Sequence, residues 1–166
     1  MDDDEARAAG RALSSPLRLR ILRKCRFDAR TNKELAEAFG MNPGTMLHHV
    51  RTLVDTGFLA PQPERSGAQG AREVPYLATG RSWDARMENA PALILETVRQ
   101  QVALAAPDTV YFGWLGLRLS PSHRDELHAR LNALFLEYKD LEPDADGEDY
   151  SLAVILHPEG APAASA

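Results

Sequence analysis

The chain has one cysteine, three lysines and no long apolar run, and each scarcity removes a class of protein. Cys25 alone cannot build an internal disulfide framework, nor the clustered thiolates of a soft-metal sensor; it reads as a small buried hydrophobe. No apolar stretch approaches the ~18 residues of a membrane span, and the leader MDDDEARAAG is acidic where a secretory signal starts basic and turns apolar. A cytoplasmic chain with no membrane segment is the expectation. Catalytic signatures are missing as well: no glycine-rich phosphate loop, no GxSxG elbow, no HExxH pair, no cysteine beside an evident base. No catalytic residue, cofactor or metal site is therefore assigned, and the chain is expected not to be an enzyme. Lysine supplies only Lys24, Lys33 and Lys139 of the 19 basic residues, a bias that GC-rich coding explains as readily as chemistry.

What is present is an ordinary globular composition, 44% hydrophobic and 26% charged over 166 residues. That length holds one sizeable core, or a domain of about 80 residues with an appendage of similar size. The net charge of -5 is unevenly spread. Residues 1–80 hold 12 basic and 10 acidic side chains, and without Asp2, Asp3, Asp4 and Glu5 this half would stand at +6; residues 81–166 hold 7 basic and 14 acidic. A basic front with an acidic back suits a nucleic-acid module joined to a module of another purpose.

In the front half, ARAAGRAL is helix-prone, and Ser15 with Pro16 opens a second helix running to about Arg26, its Leu19, Leu22 and Cys25 on one face. Thr31 and Glu34 form a capping box for a helix of about two turns bearing Leu35, Ala36 and Phe39 and stopped at Gly40. Asn42 caps the next helix, with Pro43 first, Met46, Val50, Leu53 and Val54 inward, and Gly57 as terminator. Two strands then flank a glycine-rich tip at residues 67–70, and Pro61, Pro63 and Pro75, which cannot donate ladder bonds, are expected on edges of a two-stranded ribbon.

Two short helices, a tight turn and a β-ribbon in this order describe a winged helix-turn-helix. The segments ALSSPLRLRIL, TNKELAEAFGMNPGTMLHHVRTLVDTGFL and GAREVPYLAT resemble the matching parts of ArsR-type winged helix-turn-helix transcription regulators, over residues 12–79. The resemblance implies that fold and a homodimer bound to operator DNA. The residues suit DNA on their own terms. Asn42, Gly44 and Thr45 are small or polar at the start of the helix that would enter the major groove, where the helix dipole favours a phosphate. With Met46, Val50 and Leu53 inward, Leu47, His48, Arg51 and Thr52 face outward or flank the core, within reach of a thymine methyl, bases or phosphates. Arg65 and Arg72 bracket the wing tip and reach for phosphates or the minor groove; Lys33, Arg18 and Arg20 are further backbone candidates. Each of these cations has a solvated face as its bland alternative. His48 and His49 lie about 100° apart on a helix, so one ion cannot easily take both from one face. A DNA surface is the better place for them, His49 alternatively lying at the core edge, and histidine would make operator affinity rise as the pH falls.

The back half reads as helix, strand, helix, strand. Trp83, Met87, Ile94, Val98 and Val102 recur at helical spacing across residues 82–106, broken or restarted at Pro91, on an apolar surface wider than one small wing consumes; this is the candidate dimerisation helix. Residues 108–120 read as a strand apolar on both faces, residues 120–142 as a helix, and residues 150–157 as a closing strand. Tyr111, Phe112, Trp114, Phe135 and Tyr138 either line an effector pocket, form plain core, or make a second interface. His123, Asp125, His128 and His157 are at the wrong spacing for one ion and read as solvated.

The expected architecture is thus mainly α with a small β content (α+β): a winged helix-turn-helix over residues 1–80, a linker and dimerisation helix over 81–106, a strand-helix-strand dimerisation or effector region over 107–158, and a disordered tail over 159–166. The expected partners are double-stranded operator DNA and a second copy of the chain, with a small-molecule effector left open; the expected role is a homodimeric repressor on a palindromic operator. A winged-helix interaction module that binds no DNA, and a ligand- or metal-responsive sensor, are the alternatives.

Overall fold

The computed structural model describes residues 3–67, 70–83, 85, 87 and 89–160. The chain divides into two compact units, Met1–Val110 and Tyr111–Ala166.

The first unit is built from helices that end where their sequences say. Helix α1 (Asp3–Leu13) delivers Ala12 and Leu13 to the core. Ser15 caps α2 (Pro16–Lys24), with Pro16 in the first turn where no amide is needed. Its face carries Ile21 and Leu22 inward and ends at the fully buried Cys25, whose thiol desolvation pushes up to about 11. The full capping box of Thr31 and Glu34 opens α3 (Asn32–Ala38), and Asn42 opens α4 (Pro43–Asp55) by accepting the Gly44 amide at 2.8 Å.

Both of these helices stop in the same way. The Met41 amide reaches back to Ala36 and the Phe58 amide to Leu53, each at 2.8 Å, around Gly40 at φ 60° and Gly57 at φ 71°. This is the 6→1 closure in which the residue past the helix must be left-handed, and glycine takes that conformation without a Cβ clash.

The wing is larger than the expected ribbon. Strand β1 (Arg30–Thr31) joins β2 (Leu59–Pro61) and β5 (Pro75–Ala78) in an antiparallel sheet of order β1-β5-β2, while β3 (Arg65–Ser66) and β4 (Arg72–Glu73) pair as a separate ribbon towards the tip. Pro75, expected on an edge, stands in the central strand. It is tolerated there as the first residue of β5, facing Thr31 and accepting the Gln62 amide at 2.8 Å, so its carbonyl is used and its missing donor is not required. The core that results joins α1, α2, α3, α4 and the first wing strand: Leu13, Ile21, Leu35, Met46, Val50, Leu53 and Leu59 are all buried.

The helix expected over residues 82–106 is shorter. A 3-10 turn covers Arg81–Trp83, and α5 (Ala90–Val102) begins afresh with Pro91 in its first turn, after Asn89 in a left-handed conformation. Pro91 therefore starts a helix instead of kinking one. Helix α5 lies against α2, with Thr97 as its buried residue.

In the second unit Ser120 caps α6 (Pro121–Lys139). The two flanking segments expected as strands carry no strand in this single chain: residues 110–120 and 148–159 make no ladder. A strand exists only where a partner takes its amides and carbonyls, and here neither segment has one. Of the tail, Glu159 and Gly160 are described; residues 161–166 lie outside the described residues, as do Ala68 and Gln69 of the wing tip.

Candidate nucleic-acid interface

Helix α4 turns a polar face to solvent because its apolar residues occupy only one side. Met46, Val50 and Leu53 are fully buried, while Asn42, Gly44, Thr45, His48 and Arg51 are exposed and Leu47 and Thr52 lie between the two sides. The start of this helix is held by α3, since the Asn32 amide group donates to the Pro43 carbonyl at 3.0 Å. Nothing in the sequence pattern singled Asn32 out; its one signal is a short polar side chain at the first position of α3. The Thr52 hydroxyl donates to the His48 carbonyl at 2.9 Å, leaving its oxygen to accept.

The adjacent histidines occupy different surroundings, their rings 5.7 Å apart and steeply inclined at 63°. His48 is exposed. His49 is half-buried, its Nδ1 is shielded from solvent without a hydrogen-bond partner, and burial, then Arg18, then His48 lower its affinity for a proton. The half-buried placement agrees with the core edge expected as the alternative for His49, while the shielded Nδ1 makes no local hydrogen bond there.

The candidate cations are also unequal. Lys33 and Arg51 stand exposed. Arg65 is paired with Glu34 at 2.5 Å and Arg72 with Glu64 at 3.0 Å. Arg18 is turned back to donate to the Ala12 and Arg11 carbonyls at the end of α1, and the Arg20 guanidinium lies 4.9 Å over the Phe39 ring. Arg18 thus serves the helix junction.

Three elements, α3, the turn at residues 39–42 and α4, therefore stand with the β2–β5 wing beside them, and the family model described as a helix-turn-helix domain matches residues 13–62. The N-terminal unit carries a winged helix-turn-helix. The match lies within the span that carried the ArsR-type resemblance. No curated protein matches the chain. Among solved structures, the homodimeric winged helix-turn-helix DNA-binding domain of Mb0332 from Mycobacterium bovis, a possible ArsR-family regulator, is similar at 24% identity, covering 68% of this chain and 97% of that one with a TM-score of 0.40. MepR, a transcription regulator of a Staphylococcus aureus multidrug efflux pump, is similar at 15% identity, 81% and 90% coverage and a TM-score of 0.37. A MarR family protein of Mycobacterium tuberculosis in complex with p-aminosalicylic acid gives 20%, 78%, 88% and 0.35.

Outside the winged helix-turn-helix, three of the five expected dimer residues, Ile94, Val98 and Val102, lie on α5. Trp83, Ile94 and Val102 are exposed, whereas Met87 and Val98 are partly buried, Met87 against the unit's own core. Of the five aromatics expected to line an effector pocket, form core or make a second interface, Tyr111, Phe112, Trp114 and Tyr138 are exposed. Phe135 lines an open groove of ≈ 260 Å³ shared with His128, Leu131, Val154 and Leu156, below the range of about 300–1,000 Å³ usual for small-molecule sites. No cluster of three metal-ligating side chains occurs among the described residues, and no described helix is long and apolar enough to cross a membrane.

Proposed function

We propose that the chain is a cytoplasmic, sequence-specific DNA-binding transcriptional regulator that acts as a homodimeric repressor on a palindromic operator. The observation that carries this reading is the outer face of α4: a small-residue N-terminus followed by Thr45, His48 and Arg51 in the open, on a helix fixed by a buried opposite face. A helix of that kind enters a major groove with its first turns against base edges. Arg51 suits a guanine edge or a phosphate, Leu47 a thymine methyl, and Thr45 and His48 base edges or phosphates. Lys33, Asn42 and Thr52 suit the backbone beside the groove. The wing supplies Arg65 and Arg72, which exchange exposed carboxylate partners for phosphates, a trade that costs little because such pairs are worth about 0–1 kcal/mol. One short reading helix selects weakly alone; two related by a twofold double the contacts at a fixed spacing, hence a dimer and a palindrome. Repression follows as the simplest sign, since occluding a promoter requires DNA binding alone.

A gel shift of the full chain on the promoters of its own and neighbouring genes tests the proposal. Salt-sensitive, sequence-selective retardation supports it; equal or absent binding to all fragments refutes it.

A further inference from the structure

The second unit has the surface of half a structure. Among its described residues none is buried, yet fifteen large apolar side chains stand exposed between Tyr111 and Leu156. Tyr111 is 98% and Trp114 84% exposed. Aromatic side chains bury about 150–250 Å² each, so Tyr111, Phe112 and Trp114 together show on the order of 400 Å². That alone matches the largest apolar patch of a typical monomer, about 300–600 Å². The exposed leucines carry the total towards the roughly 800 Å² per partner of a stable interface.

Most of this surface lies on two segments, residues 110–119, apolar on both faces of an extended chain, and 150–157, with Tyr150, Leu152, Val154 and Leu156 at every second position, and neither has a ladder. Exposed strand edges are normally guarded by lysine, proline or a bulge. Here the first segment holds one charged residue, Arg118, and the second none apart from the imidazole of His157. The acids of the unit sit on α6 and in the loop from Asp140 to Asp149, apart from Glu159, which follows the second segment and brings its carboxylate near Gly116 beside the single cation of the first. Two copies can therefore bring these segments together without setting like charges opposite one another, whereas a basic partner would be drawn to the acidic loop. Surface that must be covered throughout the life of the chain also calls for a partner made in equal number, and antiparallel pairing of identical strands is self-complementary and closes.

We infer that the second unit is completed by a second copy of this chain, with residues 110–119 and 150–157 entering intermolecular ladders around a shared apolar core. The inference rests on the homodimer of the proposed function and extends it, but does not depend on DNA binding. Hydrogen exchange and sedimentation of the full chain across a dilution series test it, alongside Trp114→Glu and Leu152→Asp. The expected result is a dimer whose amides at 110–119 and 150–157 exchange at least 100-fold slower than a free chain and lose that protection on dilution to monomer. Both variants should be monomeric while α4 keeps its protection. A wild-type monomer at tens of micromolar, a dimer whose segments exchange at the free-chain rate, or protection that survives dilution to monomer would each overturn it. Protected, dilution-sensitive segments in a protein that binds no operator would support this inference and count against the DNA reading alone.

Discussion

Arg65 of the wing donates to Glu34 of α3 at 2.5 Å, while the other oxygen of that carboxylate accepts the Thr31 amide at 2.7 Å. One side chain thus closes the capping box and fixes a wing arginine 31 residues away. The pair is partly exposed, so a phosphate can displace it. Glu34→Gln keeps an acceptor for the Thr31 amide and removes the charge that competes with DNA. Operator affinity at low salt should rise about 2–5-fold, with stability falling by less than about 1 kcal/mol. Fluorescence anisotropy and urea denaturation check both; a fall in affinity would make Arg65 a brace and not a DNA contact.

The Thr31 amide and then Arg65 hold the Glu34 carboxyl below its ordinary value of 4.5. A depressed carboxylate stabilises the fold above its unfolded pKa, and that contribution is lost as the pH falls through the lower, folded value. For His49 the proton is disfavoured by burial and by Arg18, so its folded pKa lies below 6.5 and stability is complete above that pH. The loss should set in as acid forces a charge into that site. Thermal melts between pH 7.5 and 5 should show stability declining in the wild type and a shallower slope in His49→Gln. Equal slopes would mean that the shielded Nδ1 does not matter.

The two helix-terminating glycines differ in what surrounds them. A Cβ at Gly40 would meet nothing, whereas at Gly57 it would press on the Arg81 guanidinium, and both residues have positive φ. Gly40→Ala should cost about 1 kcal/mol for the left-handed backbone alone, and Gly57→Ala measurably more. Chemical denaturation of the two variants gives the comparison; equal losses would show that Arg81 yields freely.

The elements most legible in the sequence were those with chemical punctuation. Asn42, Pro43 and Gly57 bounded α4, and Thr31, Glu34 and Gly40 bounded α3, because capping and left-handed termination depend on the residue itself. Strand β1 was not legible: two residues, Arg30 and Thr31, are too few to show alternation, and only the return of β5 makes them a strand. The bond between Arg65 and Glu34 was hidden for the same reason, since it depends on tertiary approach. Helical spacing did separate His48 from His49, yet it could not show that partial burial and the charge of Arg18 disfavour a proton on His49. The strands expected beside α6 have the right alternation in Tyr111, Leu115 and Leu152, and no partner within one chain to make them strands.

Arg51 and Arg72 should fail differently when removed. Arg51→Ala, on the outer face of α4, should cost about 1–3 kcal/mol and relax selectivity at one operator position. Arg72→Ala, on the wing, should weaken all sequences alike and flatten the salt slope by about 0.9. Competition binding against single-base operator variants separates the two; uniform loss for Arg51→Ala would move it from base reading to phosphate contact.

If α4 reads DNA sequence, the chain of 166 residues should select a motif from a pool of randomised duplexes. The expected outcome is enrichment of an inverted repeat with half-sites about one helical turn, roughly 34 Å, apart, altered at one position per half-site when Arg51→Ala is used instead. A pool that stays random after repeated rounds, or an identical motif selected by wild type and Arg51→Ala, would contradict it.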